Sequence, residues 1–182
     1  MTITWGKIHK YLRMTIYYSL PGKVKLSMVG YIGKVLNYIL GDMKVESATP
    51  AAHHLFDIAE NITKPSQTDA ELFHIFVAQT LVPPNCALPD IQLGVSFLFT
   101  RFIYPDTNDY KNLERVMNYI QVNIGLPLIF SINKSGNIKW YVDAEFSVHK
   151  YMRSHNGGFM TMGTGGVYVQ SSKQKLNTNS ST

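Results

Sequence analysis

The stretch KWYVDAEFSVH, residues 139–149, alternates like a strand yet carries a carboxylate, Asp143, in its middle. A mid-strand carboxylate among apolar neighbours is either an edge group hydrated by solvent or a catalytic residue that needs partners. Glu145 lies two residues on and shares the face of Asp143, because side chains alternate along a strand. A second chemistry follows directly downstream. Lys150 and Arg153 sit in a basic loop, and Lys173 and Lys175 follow in the next polar stretch, a set of cations suited to phosphate contacts.

Other residue types contribute less. Cys86 is the single cysteine, so no disulfide or cysteine-rich metal site can form within one chain, and a reducing compartment is expected. His53 and His54 are adjacent and diverge, which makes a poor chelate. Gly157, Gly158, Gly163, Gly165 and Gly166 do not end in Gly-Lys-Ser/Thr and open no helix, so they read as turn and bulge glycines and not as a phosphate loop. The net charge of +5 and pI near 9.2 suit a polyanion such as nucleic acid. No secretory run follows the first basic residues and no apolar stretch reaches the ~20 residues a bilayer requires. The expectation is an intracellular protein, cytoplasmic or nuclear, neither secreted nor membrane-bound.

The elements that must position these groups fall into three blocks. Residues 8–18 and 24–28 read as a β-hairpin around a type II turn at Leu20-Pro21-Gly22-Lys23. A helix is expected over 27–43 with Ser27 as N-cap, and residues 44–66 read as a linker. Further helices are expected from about Asp69 to Leu81, from an Asp90 cap, and from a Thr107 or Asn108 cap, with the prolines of 82–89 breaking between the first two. Leu113, Val116, Met117 and Ile120 mark the inward face of the last helix. After Pro127 the pattern turns to strands, LPLIFSI, IKWYVDAEF, GGFMTMG and VYVQSSKQ, with turns at 133–136 and 164–166, which predicts an antiparallel meander. The fold class is therefore α/β in the α+β sense: a β-hairpin, a helical middle, then an incomplete antiparallel sheet. Apolar residues in 128–132 and 159–169 would be left uncovered in such a sheet.

HKYLRMTIYYSLPGKVKLSM resembles the end of the palm of a copia-type retrotransposon reverse transcriptase. LPDIQLGVSFLFTRFIYPDTNDYKNLERVMNYIQ resembles the helical connection that follows it. KWYVDAEFSVHKYMRSHNGGFMTMGTGGVYVQSSKQKLNTNSST resembles the opening of that family's ribonuclease H domain, and the match covers nearly the whole chain in the family's order. The resemblance implies two units. Residues 1–126 would hold the end of the palm with thumb and connection helices, and 127–182 the first strands of a ribonuclease H-like domain. It implies a parent activity of RNA-directed DNA polymerase with ribonuclease H, Mg²⁺ as cofactor, and an RNA–DNA hybrid as partner.

The same resemblance implies Asp143 as the first metal ligand of the ribonuclease H site, and a first hairpin (Tyr11, Met14, Tyr17, Tyr18) akin to the element that positions the primer. The family's Tyr-x-Asp-Asp turn has no match, since no Asp-Asp pair occurs. The next carboxylate ligand of the family follows a Ser-Ser-Thr segment, which here is Ser180-Ser181-Thr182 at the end of the sequence. Two further departures stand out: Arg13 where the family has Gly, and Ala87-Leu88-Pro89-Asp90-Ile91 where it has Thr-Arg-Pro-Asp-Ile. A chain with one ligand is expected to hold no stable Mg²⁺ pair and to be catalytically inactive, leaving a nucleic-acid-binding module or a product of a degenerate element as the alternatives.

Overall fold

The computed structural model describes residues 5–39, 47–58, 65–83 and 87–176. The fold is α+β, as the sequence predicts. The N-terminal block holds three short strands, β1 (Ile8–Tyr11), β2 (Met14–Tyr17) and β3 (Lys23–Ser27). The expected turn before β3 is present: Lys23 donates its N–H to the Leu20 carbonyl at 3.1 Å, with Gly22 at φ +67°. Residues 8–18 were expected as a single strand. They fold instead into two strands, because Leu12 and Arg13 both take positive φ (45° and 69°) and reverse the chain. Arg13 thus occupies a left-handed position that glycine adopts freely and an L side chain does not.

Among the described residues four helices make the core: α1 (Val29–Ile39), α2 (Gln67–Thr80), α3 (Gln92–Arg101) and α4 (Thr107–Asn123). Ile32, Val35 and Leu36 of α1 pack with Phe73 and Val77 of α2, Val95 and Leu98 of α3, and Leu113, Val116, Met117 and Ile120 of α4. Helix α1 starts later than predicted. Ser27 pairs with Thr15 in the ladder, and the Met28 carbonyl accepts the first helical bonds. The expected residues 40–43 of that helix, and residues 44–46 and 59–64 of the predicted linker, lie outside the described residues.

The caps also differ from expectation in instructive ways. Asp90 sits in a 3-10 turn, Pro89–Ile91, ahead of α3 and accepts a hydrogen bond from the Tyr119 hydroxyl instead of capping the helix. Helix α4 is capped by Asp106, one residue earlier than predicted; it accepts from the Asn108 and Asp109 N–H groups at 2.7 and 3.0 Å, and Asp109 returns a bond to the Asp106 N–H. Both carboxylates are buried and meet Arg101 at the last turn of α3, at 3.1 and 2.9 Å.

The strands after Pro127 do not form one meander. β4 (Leu128–Ile132) pairs with β3 and with the two-residue β7 (Gly163–Thr164), giving a five-stranded sheet of order β1-β2-β3-β4-β7. Only β5 (Lys139–His149), β6 (Arg153–Thr161) and β8 (Gly166–Lys173) form the second sheet. Alternation predicts a strand but not which edge it takes. β3 offers an open edge at Lys23–Leu26, and β4 fills it before the chain turns at Gly136. The uncovered apolar surface lies in part where predicted, at Ile132, Val167 and Tyr168, but the rest of β4 is half-buried, and Trp140 (57%) and Val142 (79%) stand exposed on the outer face of β5.

Gly165 makes the β4–β7 junction possible. Its φ is +80°, and a Cβ there would lie 2.3 Å from the Ile129 carbonyl oxygen. Gly165→Val is expected to lower stability by about 3 kcal/mol, measured by urea unfolding; an unchanged midpoint would refute this reading of the junction. Arg13→Gly, in contrast, is expected to raise stability by about 1 kcal/mol by removing the left-handed strain.

Candidate nucleic-acid interface

The β5-β6-β8 sheet presents its inner face in rows. One row reads Asp143, Gly157, Ser171; the next reads Glu145, His155, Lys173; the row on the other side reads Tyr141, Phe159, Val169. Gly157 has no side chain, so the face is hollow between Asp143 and Ser171. Together with Phe56, Pro89, Asp90, Gln92 and Leu93 these rows line a cavity of about 570 Å³. Asp143 accepts a hydrogen bond from the Ala144 N–H at 2.8 Å.

Asp143, Glu145 and Asp90 thus share one cavity. Among the described residues, however, no three His, Cys, Asp or Glu side chains are placed to hold one ion. The donor set does not fit a metal pair, and no step is derived through one.

The four predicted phosphate contacts divide. Arg153 stands directly opposite His149 on the β5–β6 ladder, and Lys173 directly opposite His155 on the β6–β8 ladder, so the structure brings these two cations to one end of the sheet. Burial lowers the Lys173 pKa, and the nearby charges of Arg153 and Arg101 lower it further. Lys150 is exposed in the tight connection between β5 and β6, its ammonium 5.2 Å from the Tyr151 ring centroid. That connection is a 3-10 turn with Tyr151 and Met152 at positive φ, where the sequence suggested a longer loop. Lys175 is exposed beyond β8, next to Gln174, whose N–H bonds the Ser154 carbonyl at 2.9 Å. Asp143 lies one row from Lys173, and its partner Gly157 is four residues along β6 from Arg153, about 13 Å.

Beneath the two cations lies a histidine pair that the sequence reading missed. His149 Nε2 and His155 Nδ1 are 2.7 Å apart, and His155 Nε2 is 2.6 Å from the Ser171 hydroxyl. Both rings are buried, walled by Phe56 and by Phe97 of α3, which stacks on His149. The signal was present only as two histidines flanking a connection whose tightness the sequence does not reveal. Burial pushes both imidazoles down to about 4, and for His149 the neighbouring His155, Lys173 and Arg101 add to the effect.

A second groove was also missed. Lys10, Arg13, Met14 and Thr15 of the first hairpin face Tyr31, Lys34 and Tyr38 of α1 across about 570 Å³, with Gln79 of α2 at the side. The Arg13 guanidinium lies 4.9 Å from the Tyr31 ring centroid, while the Tyr31 hydroxyl donates to the Gln79 carbonyl at 2.9 Å. Tyr38 is 71% exposed. The groove is lined by three cations and two tyrosines and by no carboxylate. Lys10 and Lys34 were legible as charges, but 24 positions separate them in sequence, and only the packing of the hairpin on α1 joins them.

With this geometry in place, comparison with known proteins gives a consistent result. The chain is similar to a retrotransposon protein. It is 26% identical over 171 residues to the Saccharomyces cerevisiae protein named "Putative transposon Ty5-1 protein YCL074W", covering 93% of this chain and 54% of that protein. The chain therefore spans about half the length of the curated relative it matches. The similarity supports a retrotransposon-derived protein. No protein-family model matches the chain, and no solved structure does. No helix among the described residues is long and apolar enough to cross a membrane.

The histidine pair sets a pH dependence. In the unfolded chain both imidazoles titrate near their ordinary 6.5, whereas in the fold they stay neutral down to about 4. The unfolded state binds more protons between those values, so stability is full above pH 6.5 and is lost as pH falls towards 4. The thermal midpoint is expected to fall by about 5 °C between pH 7 and pH 4.5, and His149→Gln/His155→Gln is expected to flatten that slope. A midpoint independent of pH across this window would refute the assignment.

Proposed function

We propose that this chain is a nucleic-acid-binding part of a copia-type retrotransposon polyprotein. Residues 1–126 correspond in this reading to the end of a reverse transcriptase palm with its thumb and connection helices, and 127–182 to the opening strands of a ribonuclease H-like unit. The parent reaction is RNA-directed DNA polymerisation with cleavage of RNA–DNA hybrids. This chain contributes grip rather than chemistry.

The observation that carries the reading is the groove between the first hairpin and α1. Lys10, Arg13 and Lys34 supply charge for phosphates, while Tyr31 and Tyr38 supply faces for bases or sugars. Phosphate contacts give affinity without sequence readout, which suits an element that must act on any template. The cations Arg153 and Lys173, with Lys150 and Lys175 beside them, form the second contact. Asp143 occupies the place that the family gives to its first metal ligand. It lines one cavity with Glu145, its neighbour on the same face of β5, and with Asp90, and the three do not converge on one ion.

Binding of a fluorescent RNA–DNA hybrid is expected at low salt, with log affinity falling linearly in log salt. Lys10→Ala/Lys34→Ala is expected to weaken binding about tenfold and to flatten the slope by about two. Lys150→Ala/Lys175→Ala is expected to have a smaller effect. No binding at 50 mM salt, or a double variant indistinguishable from the parent chain, would sink the proposal. A hybrid-cleavage assay with Mg²⁺ tests the other half: no product that depends on Asp143 is expected, and cleavage abolished by Asp143→Asn would overturn the assignment of grip without chemistry.

A further inference from the structure

We propose that polyanion binding at the Arg153–Lys173 end of the sheet is coupled to proton uptake by the buried His149–His155 pair beneath it, so that the surface binds more tightly as pH falls. This rests on the reading of that surface as a phosphate contact and adds its regulation.

The geometry supplies both halves of the coupling. His149 is the direct cross-strand neighbour of Arg153, and His155 of Lys173. Directly opposite residues on a ladder bring their Cβ atoms to about 5 Å. A charge gained by either ring therefore adds to the field of the two cations that meet the phosphates. The hydrogen-bond chain can take one proton without breaking. A doubly protonated His155 donates from Nδ1 to His149 Nε2 and from Nε2 to the Ser171 hydroxyl, keeping both present contacts of 2.7 and 2.6 Å.

The elements packed around the pair offer little that would already compensate that charge. α3 contributes Phe97 and Arg101; Arg101 is positive and already bridges Asp106 and Asp109. β6 contributes Arg153 and β8 contributes Lys173. The segment 47–58 contributes the Phe56 ring, and its neighbour Asp57 is exposed. β5 contributes one carboxylate, Glu145, opposite His155 and exposed.

Burial keeps the pair neutral in the free protein, and at His149 the charges of Lys173 and Arg101 act in the same direction. A bound polyanion opposes that charge effect. It neutralises Arg153 and Lys173 and lends negative potential to the same spot, so the pair gains a proton on binding. By linkage, lowering the pH must then tighten binding by the same factor.

The test uses the full chain with two probes, a short RNA–DNA hybrid and inorganic polyphosphate, titrated calorimetrically at pH 7.5 and 5.5 in buffers of different ionisation heat. Expected are uptake of about one proton at pH 5.5, affinity about tenfold tighter than at pH 7.5, and a salt slope steeper by about one. His149→Gln/His155→Gln keeps hydrogen-bonding side chains without a titrating ring and should abolish uptake while leaving binding at pH 7.5 in place. His9, His53, His54 and His74 remain in that variant, so uptake that persists in it comes from them and overturns the proposal.

Should the variant not fold, the imidazole resonances of the parent chain give the answer: His149 and His155 must protonate at higher pH with polyphosphate than without, and unchanged midpoints reject the coupling. Binding of both probes without proton uptake rejects the coupling and leaves the proposed function standing. Binding of polyphosphate with uptake, but not of hybrid, rejects the proposed function and leaves the coupling. Binding of neither rejects both.

Discussion

Phe97 stacks on His149 with ring centroids 5.7 Å apart and planes inclined by 27°, and that contact is what the β5-β6-β8 sheet leans on. A three-stranded sheet has two faces and little apolar area of its own, so it needs a partner layer. Helix α3 is that layer. Its Val95 and Leu98 belong to the helical core, while Phe97 turns to the sheet, so the helix is buried on two sides. Such a helix must be apolar nearly all round, which the sequence QLGVSFLFTR satisfies. Gly94 lets it approach α4: a Cβ there would lie 3.1 Å from a Val116 methyl. Arg101 then ties its end to the cap of α4 through two buried carboxylates. Helix register, sheet position and cavity shape are set together by these contacts.

Helical periodicity was the most legible part of the chain. Leu113, Val116, Met117 and Ile120 face the core as their spacing predicts, because a 17-residue helix gives the pattern enough turns to stand out. Strand existence was legible too, but strand partnership was not. β4 and β7 join the N-terminal sheet through a register of four pairs and one of two, and nothing in LIFSI or in Gly163-Thr164 says so. Caps slipped by a residue or two, where Asp106 outcompeted Thr107 because its carboxylate could also meet Arg101. At the site, Asp143 drew attention by its chemical oddity in a strand. The histidine pair and the Lys10–Arg13–Lys34 groove escaped because they are made by tertiary proximity between residues that are unremarkable alone.

Arg13 shows how strain and recognition can share one residue. A tight reversal at Leu12 and Arg13 requires positive φ at both, which glycine meets without cost and arginine does not. The resemblance places a glycine there. The arginine instead sends its guanidinium over Tyr31 and into the groove, where it joins Lys10 and Lys34. Local conformational stability is exchanged for a third cation in the groove. Arg13 is therefore an addition to the cationic surface in the fold.

Charge is segregated in the same way across the molecule. Asp106 and Asp109 are consumed by Arg101, and Asp90, Asp143 and Glu145 are gathered around one cavity on the inner face of the second sheet. That leaves the hairpin–α1 groove with cations and no facing carboxylate, and the far end of the sheet with Arg153 and Lys173 side by side. A net charge of +5 spread evenly over 182 residues would give a weak field. Concentrated in two places it gives focused positive potential, which is what raises the local concentration of a polyanion. The acidic cavity is the counterpart of that arrangement. Only Glu145 shares a cross-strand row with one of these cations, Lys173, with His155 between them, and it is exposed to solvent. Charge placement therefore matters more here than the modest net charge.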